Sequence, residues 1–207
     1  MPGACAEKFK FDLDGGTIAM DFVNSISGLR GVNPREHLLV FDDLAYWAHQ
    51  AGLIDRHKMY NLRALASLHP RRAAEALERS LRAREALHDV ALAAAQEREP
   101  PAAALAELNS WISAALAKRR IVPKGPGRFE VRFEDDDDLL AFLRPVALDA
   151  ARLLETGEPI RVCAELEQGR CGWLFLDETK NRSRRFCSMR ECGNRAKQRR
   201  FRQKHAG

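Results

Sequence analysis

What this 207-residue sequence lacks narrows its identity first. Its apolar stretches, such as residues 90–95, are broken by charge well short of the roughly 18 residues a membrane span needs. The opening run MPGACAEKFKFDLD holds no apolar signal core. There is no glycine-rich phosphate loop, no G-x-S-x-G and no Cys/His nucleophile arrangement. His37, His49, His57, His69 and His88 are scattered, without the i, i+4 pairing of a helical metal site. The expectation is a soluble, cytoplasmic protein that is not an enzyme. Lysine is scarce beside arginine, 8 against 26, which genome composition explains as readily as function. Outside residues 163–192 there is one cysteine, Cys5, read as an incidental free thiol.

What is present is enough to fold. The chain is 45% apolar and 30% charged, sufficient for one medium domain or one domain plus a small module. Phe9, Phe11 and Leu13 alternate with Lys10 and Asp12, predicting a short strand that ends at Asp14-Gly15-Gly16. Ile18, Phe22, Val23 and Ile26 fit a helical face, while Ile18, Met20 and Phe22 also fit a strand. A clear amphipathic helix starts at Phe41, capped by Asp42 or Asp43, striped by Leu44, Trp47, Ala48 and Ala51, and ended by Gly52. Asp55 caps a second helix running to about Leu68, and residues 71–98 read as a third. Pro100-Pro101 ends that one and opens a helix bearing Leu105, Leu108 and Ile112. A turn at 124–127 precedes a strand on Phe129, Val131 and Phe133. The acids at 135–138 suit a helix N-terminus better than a divalent cation. Pro145 then marks a kink or the start of a second helix. The predicted fold is a mainly α domain with a few short strands over residues 1–155, a linker at 155–159, and a small α+β module over 160–207.

Charge and cysteine both concentrate in that module. Residues 180–207 hold eleven Lys or Arg and one acid, Glu191, whereas the preceding 179 residues hold 23 bases against 28 acids. A cationic end on an acidic body points to an anionic partner, nucleic acid above all. Cys163, Cys171, Cys187 and Cys192 follow the spacing C-x7-C-x15-C-x4-C. Two thiol pairs joined by a short loop suit one tetrahedral zinc ion. Two disulfides are the competing pattern, and they need an oxidising compartment. Residues 173–176 read as a strand, 177–183 as its turn, Arg185-Phe186 as its return, and the run after Cys192 as a short helix. That order predicts a treble-clef-like module, too small to fold on its own core and completed by the metal.

The run from Phe175 to Lys197, F-L-D-x-x-x-N-R-S-R-R-F-C-S-M-x-x-C-G-N-R-A-K, resembles the CGNR zinc finger, named for the tetrapeptide that is Cys192-Gly193-Asn194-Arg195. Residues 15–25 (GGTIAMDFVNS), 41–54 (FDDLAYWAHQAGLI) and the helices to about Pro145 are similar to the ABATE domain that precedes this finger in its family. The resemblance spans nearly the whole chain. It implies a bacterial transcription regulator, described as stress-induced, whose finger binds zinc and DNA. One departure is visible: the family's first pair is usually about C-x4-C, whereas Cys163 and Cys171 enclose seven residues. His205 is the substitute if Cys163 is not a ligand.

On a helix after Cys192, Arg195, Arg199 and Arg202 share one face, and Lys197, Arg200 and Lys204 line the opposite one. Arg195 and Arg199, near its start, are the expected readers of base edges. The others, with Arg184 and Arg185 on the preceding hairpin assisting, are expected on phosphates. Phosphate charge does not separate DNA from RNA. The rival reading is a protein–protein adaptor whose basic helix docks on an acidic partner. Asp21, Asn24 and Arg30 form a polar cluster beside an apolar segment, a candidate pocket for a small-molecule effector. The N-terminal domain is accordingly expected to sense a ligand or to form a homodimer.

Overall fold

A computed structural model describes residues 9–134 and 136–205, so Cys5 and Asp135 lie outside the described residues. The 3.6-residue apolar repeats become α1 (Ile18–Val23), α2 (Phe41–Gln50), α3 (Arg56–Leu68), α4 (Pro70–Ala95), α5 (Ala102–Leu116) and α6 (Arg144–Thr156). Residues with fixed local chemistry set the ends. Thr17 and Asp55 accept hydrogen bonds from the first turns of α1 and α3. Asp43 lies inside α2 and reaches back to the Leu39 and Val40 amides at 3.1 Å each, so Val40 rather than an aspartate occupies the cap position. Pro145 begins a helix instead of kinking one, after a short 3-10 turn at Ala141–Leu143.

Among the described residues the strands pair in twos, each antiparallel: β1 (Ile26–Ser27) with β2 (Arg35–Glu36), β3 (Arg119–Gly125) with β4 (Arg128–Phe133), and β5 (Ile160–Val162) with β6 (Leu174–Leu176). The strand expected at residues 9–13 is absent. Its backbone is extended but faces the Gln50 side-chain amide, which accepts from Phe11 and donates to the Phe9 carbonyl at 3.1 Å each. One side chain satisfies those groups, so no ladder forms. Strand β3 was not legible, because Pro123 and paired arginines hide its alternation.

Among the described residues three apolar clusters fill the interior, the smallest being Phe175 and the four finger cysteines, with Trp173 and Phe186 against them. The first joins α2, α3 and the start of α4 to residues 139–146, with Trp47, Leu44 and Leu38 fully buried. The second joins α1, the later turns of α4, α5 and α6 to Ile160, Leu174 and Leu176 of β5 and β6. The 26-residue α4 serves both clusters, its alanines allowing close approach. The finger thus has a small core of its own, expected from the sequence, but Ile160, Leu174 and Leu176 of β5 and β6 also join it to the second cluster of the body. Of the expected linker, Glu155 and Thr156 are the end of α6, Gly157 closes that helix at φ 64°, and Glu158-Pro159 connect it to β5.

Candidate metal centre and basic helix

Each cysteine reaches the centre from a different local device. Cys163 follows β5, and a 3-10 turn at Ala164–Gln168 with Gly169 at φ 65° brings the chain round to Cys171, just before β6. The seven intervening residues therefore form a turn of helix rather than a slack knuckle. Cys187 follows the loop after β6, and Cys192 sits in a wide π-type turn, Met189–Gly193, that runs into α7 (Asn194–His205). β6 pairs with β5, not with Arg185-Phe186 as the sequence suggested. Residues 177–184 are instead closed by Asp177, whose carboxylate accepts from the Thr179 and Arg184 amides at 3.1 and 3.0 Å.

All four sulfurs are buried and lie within 4.8 Å of one another. Cys187 stands 3.7 Å from Cys171 and 3.6 Å from Cys192. Four thiolates at about 2.3 Å from one zinc ion in a tetrahedron are separated by about 3.8 Å, so the cage has the size of that ion. A disulfide needs sulfurs at about 2.05 Å, and all four cysteines are free. The donor set itself asks for a cation. Donation to the Cys163 thiolate holds the Cys171 and Cys187 thiols protonated far above the ordinary thiol range, and the same contacts push Cys163 far below it. A divalent ion removes that competition by letting all four ionise. Cys163 is thus one of the set, while His205 bonds the Phe201 carbonyl on its own helix at 2.8 Å. These residues hold one structural zinc ion.

The arginines expected at nucleic acid divide into two groups. Arg184 is occupied by the fold: its guanidinium donates to the carbonyls of Phe186 (3.0 Å), Leu176 (3.4 Å), Asp14 (2.7 Å) and Cys187, and lies 4.4 Å over the Phe175 ring. Arg199 is likewise committed. Both its terminal nitrogens bond Glu165, at 2.9 and 2.8 Å, and that carboxylate is only 1% exposed. Arg199 therefore pins α7 to the first cysteine loop and is not free to read a base, because one planar fork serves one bidentate partner at a time. Arg195 is half-exposed and donates to the Cys192 sulfur (3.5 Å) and to Glu191 (3.2 Å). Arg185, Lys197, Arg200, Arg202 and Lys204 are exposed.

The polar cluster near α1 proves to be a joint, which corrects the pocket expectation. Asn24 is buried and bonds the Leu174 backbone twice, donating to its carbonyl at 2.7 Å and accepting from its amide at 3.1 Å. Asp21 accepts from the Gly15 amide at 2.8 Å. Arg30 bonds Glu85 and the Val23 carbonyl, each at 2.7 Å. None of these side chains lines a described cleft; the two largest are bordered by residues of α3, α4, α5 and the 134–145 segment. The same N-terminal segment holds the finger at three more points. Leu176 donates to the Gly15 carbonyl (2.9 Å), Gly172 to that of Gly28 (3.2 Å), and the Trp173 indole to that of Ile26 (2.7 Å). Residues 15–28 therefore serve β6 as a neighbouring strand would. A Cβ on Gly16, at φ +87°, would come within 3.1 Å of the Leu176 Cβ, so the approach needs glycine. Sequence reasoning missed Glu165 and the roles of Asn24 and Arg184; their partners are 34, 150 and up to 170 residues away, beyond any local pattern.

Among the described residues no helix is long and apolar enough to cross a membrane. Two family models match the chain. One, ABATE, is described as "Putative stress-induced transcription regulator" and matches residues 16–157; the other is the CGNR zinc finger, matching residues 160–205. Neither describes an enzyme family. No curated protein matches the chain.

Proposed function

Because the chain belongs to the ABATE family and ends in a CGNR zinc finger, we propose that it is a transcription regulator that grips duplex DNA through α7. One observation carries this reading: a 12-residue helix with Lys197, Arg200, Arg202 and Lys204 exposed starts two residues after the last zinc ligand and is pinned by Arg199 to Glu165. A helix held at its first turns and basic over its free surface meets phosphates without having to be ordered on binding. Its N-terminal turns also face the partial positive charge of the helix toward the thiolates, so zinc site and helix stabilise each other. With Arg184 and Arg199 occupied by the fold, the proposed phosphate contacts are Arg185, Lys197, Arg200, Arg202 and Lys204. Arg195 is the remaining candidate for a base edge, at the cost of its contact to Cys192.

Binding of a labelled duplex over a range of salt tests this. Arg202→Ala should weaken all sequences alike and lower the log–log salt slope by about 0.9. An unchanged slope, with saturable binding of an acidic protein instead, would establish the adaptor reading in its place.

A further inference from the structure

The β3–β4 hairpin is an outgrowth that the finger does not use. It packs chiefly on itself, tied to the body where the Glu134 amide donates to the Lys118 carbonyl at 2.7 Å. The register pairs Ile121 with Val131 and Pro123 with Phe129, placing these four side chains on one face. Ile121, Phe129 and Val131 are 74%, 68% and 52% exposed. The opposite face presents Arg120 and Arg132, and the tip is a narrow Gly125-Pro126-Gly127 turn flanked by Lys124 and Arg128.

Charge singles the hairpin out. Residues 119–134 hold five bases and two acids, whereas the rest of the first 179 residues hold eighteen bases against twenty-six acids. Both hairpin acids are already engaged, Glu130 with Lys124 and Arg132 and Glu134 with Arg120. A two-stranded ribbon of six or seven residues reaches about 20 Å, and such a ribbon fits a DNA groove. Exposed apolar side chains on an isolated ribbon are those that proteins set against sugars and base steps, with flanking cations on the phosphates.

We propose that this hairpin is a second DNA-binding element, an arm that lies in a groove of duplex DNA. Arg119, Lys124 and Arg128 meet phosphates, and Ile121 and Phe129 sit against the groove floor. The arm adds contacts to those of α7 and does not depend on them.

The test uses the full chain and a fluorescein-labelled duplex of mixed sequence, titrated at several salt concentrations. The triple variant Arg119→Ala, Lys124→Ala, Arg128→Ala should bind about tenfold more weakly at low salt, with a slope smaller by about 2.7. Restoring Lys at the two arginine positions should recover most of the slope. Phe129→Ser should weaken binding and leave the slope alone. A parallel variant, Arg200→Ala, Arg202→Ala, Lys204→Ala, reports on the finger. If that variant loses slope and the hairpin variants match the parent, the arm proposal is wrong while the finger reading stands. If only the hairpin variants lose slope, the arm stands without the finger. Binding and slope unchanged, together with a dimer that Phe129→Ser dissociates in sedimentation, would overturn the arm and make this face a contact between copies.

Discussion

Burial pushes the Asp21 carboxyl up to about 6, with Asp14 and Asp149 adding to the rise against the lowering bond from the Gly15 amide. Its folded value lies above the ordinary carboxylate value, so its contribution to stability is complete below about pH 4 and lost as pH rises through about 6. Asp21→Asn keeps an acceptor for Gly15 and removes the titration. Denaturant midpoints for that variant should be higher than the parent's at pH 7.5 and closer to it at pH 4; parallel pH profiles would contradict the assignment. Glu165 is the opposite case. Donation from Arg199 holds its carboxyl below the usual range, so its contribution is present above the ordinary carboxylate value and lost in acid. Arg199→Ala leaves the Glu165 carboxylate without its partner and should destabilise the finger, read as severalfold faster loss of zinc to a chelator. Adding Glu165→Gln should recover much of the loss. A single variant as stable as the parent, but weaker on DNA, would return Arg199 to the role its place in the sequence suggested.

Among the elements, those with strong local periodicity were legible and those made by distant pairing were not. The α2 stripe of Leu44, Trp47 and Ala48 and the Asp55 cap appear where the pattern places them. The four cysteines also declared themselves, since thiol spacing is nearly independent of the surrounding fold. The partner of β6 was hidden: β5 precedes it across the cysteine loop, and residues 15–28 complete its other edge from the far end of the chain. The GGTIAMDFVNS run reads as an ordinary turn and helix; only the structure shows it as the cradle of the finger. Asn24→Ala removes both bonds to Leu174 inside a buried joint and should cost about 2–3 kcal/mol. Hydrogen exchange should show protection lost at residues 174–176 before the rest of the body. Protection unchanged there would mean the joint is held by its apolar contacts alone.

For the whole molecule, the shared cluster of α1, α4, α6, β5 and β6 makes zinc a support for more than the finger. The chain is expected to hold one zinc ion, and element analysis checks the count. Cys192→Ser or chelation should lower the thermal midpoint of the body's helical signal as well as unfold the finger. Two independent transitions, with the body unmoved, would contradict a common core. In the proposed function the zinc-held module presents its cations to duplex DNA. That is tested most directly by titrating the full chain against duplex DNA across salt, with zinc bound and after chelation. Affinity should fall with salt at a log–log slope of about −4 or steeper, and a large part of it should be lost when zinc is removed. Affinity indifferent to salt, or unaltered by chelation, would contradict it.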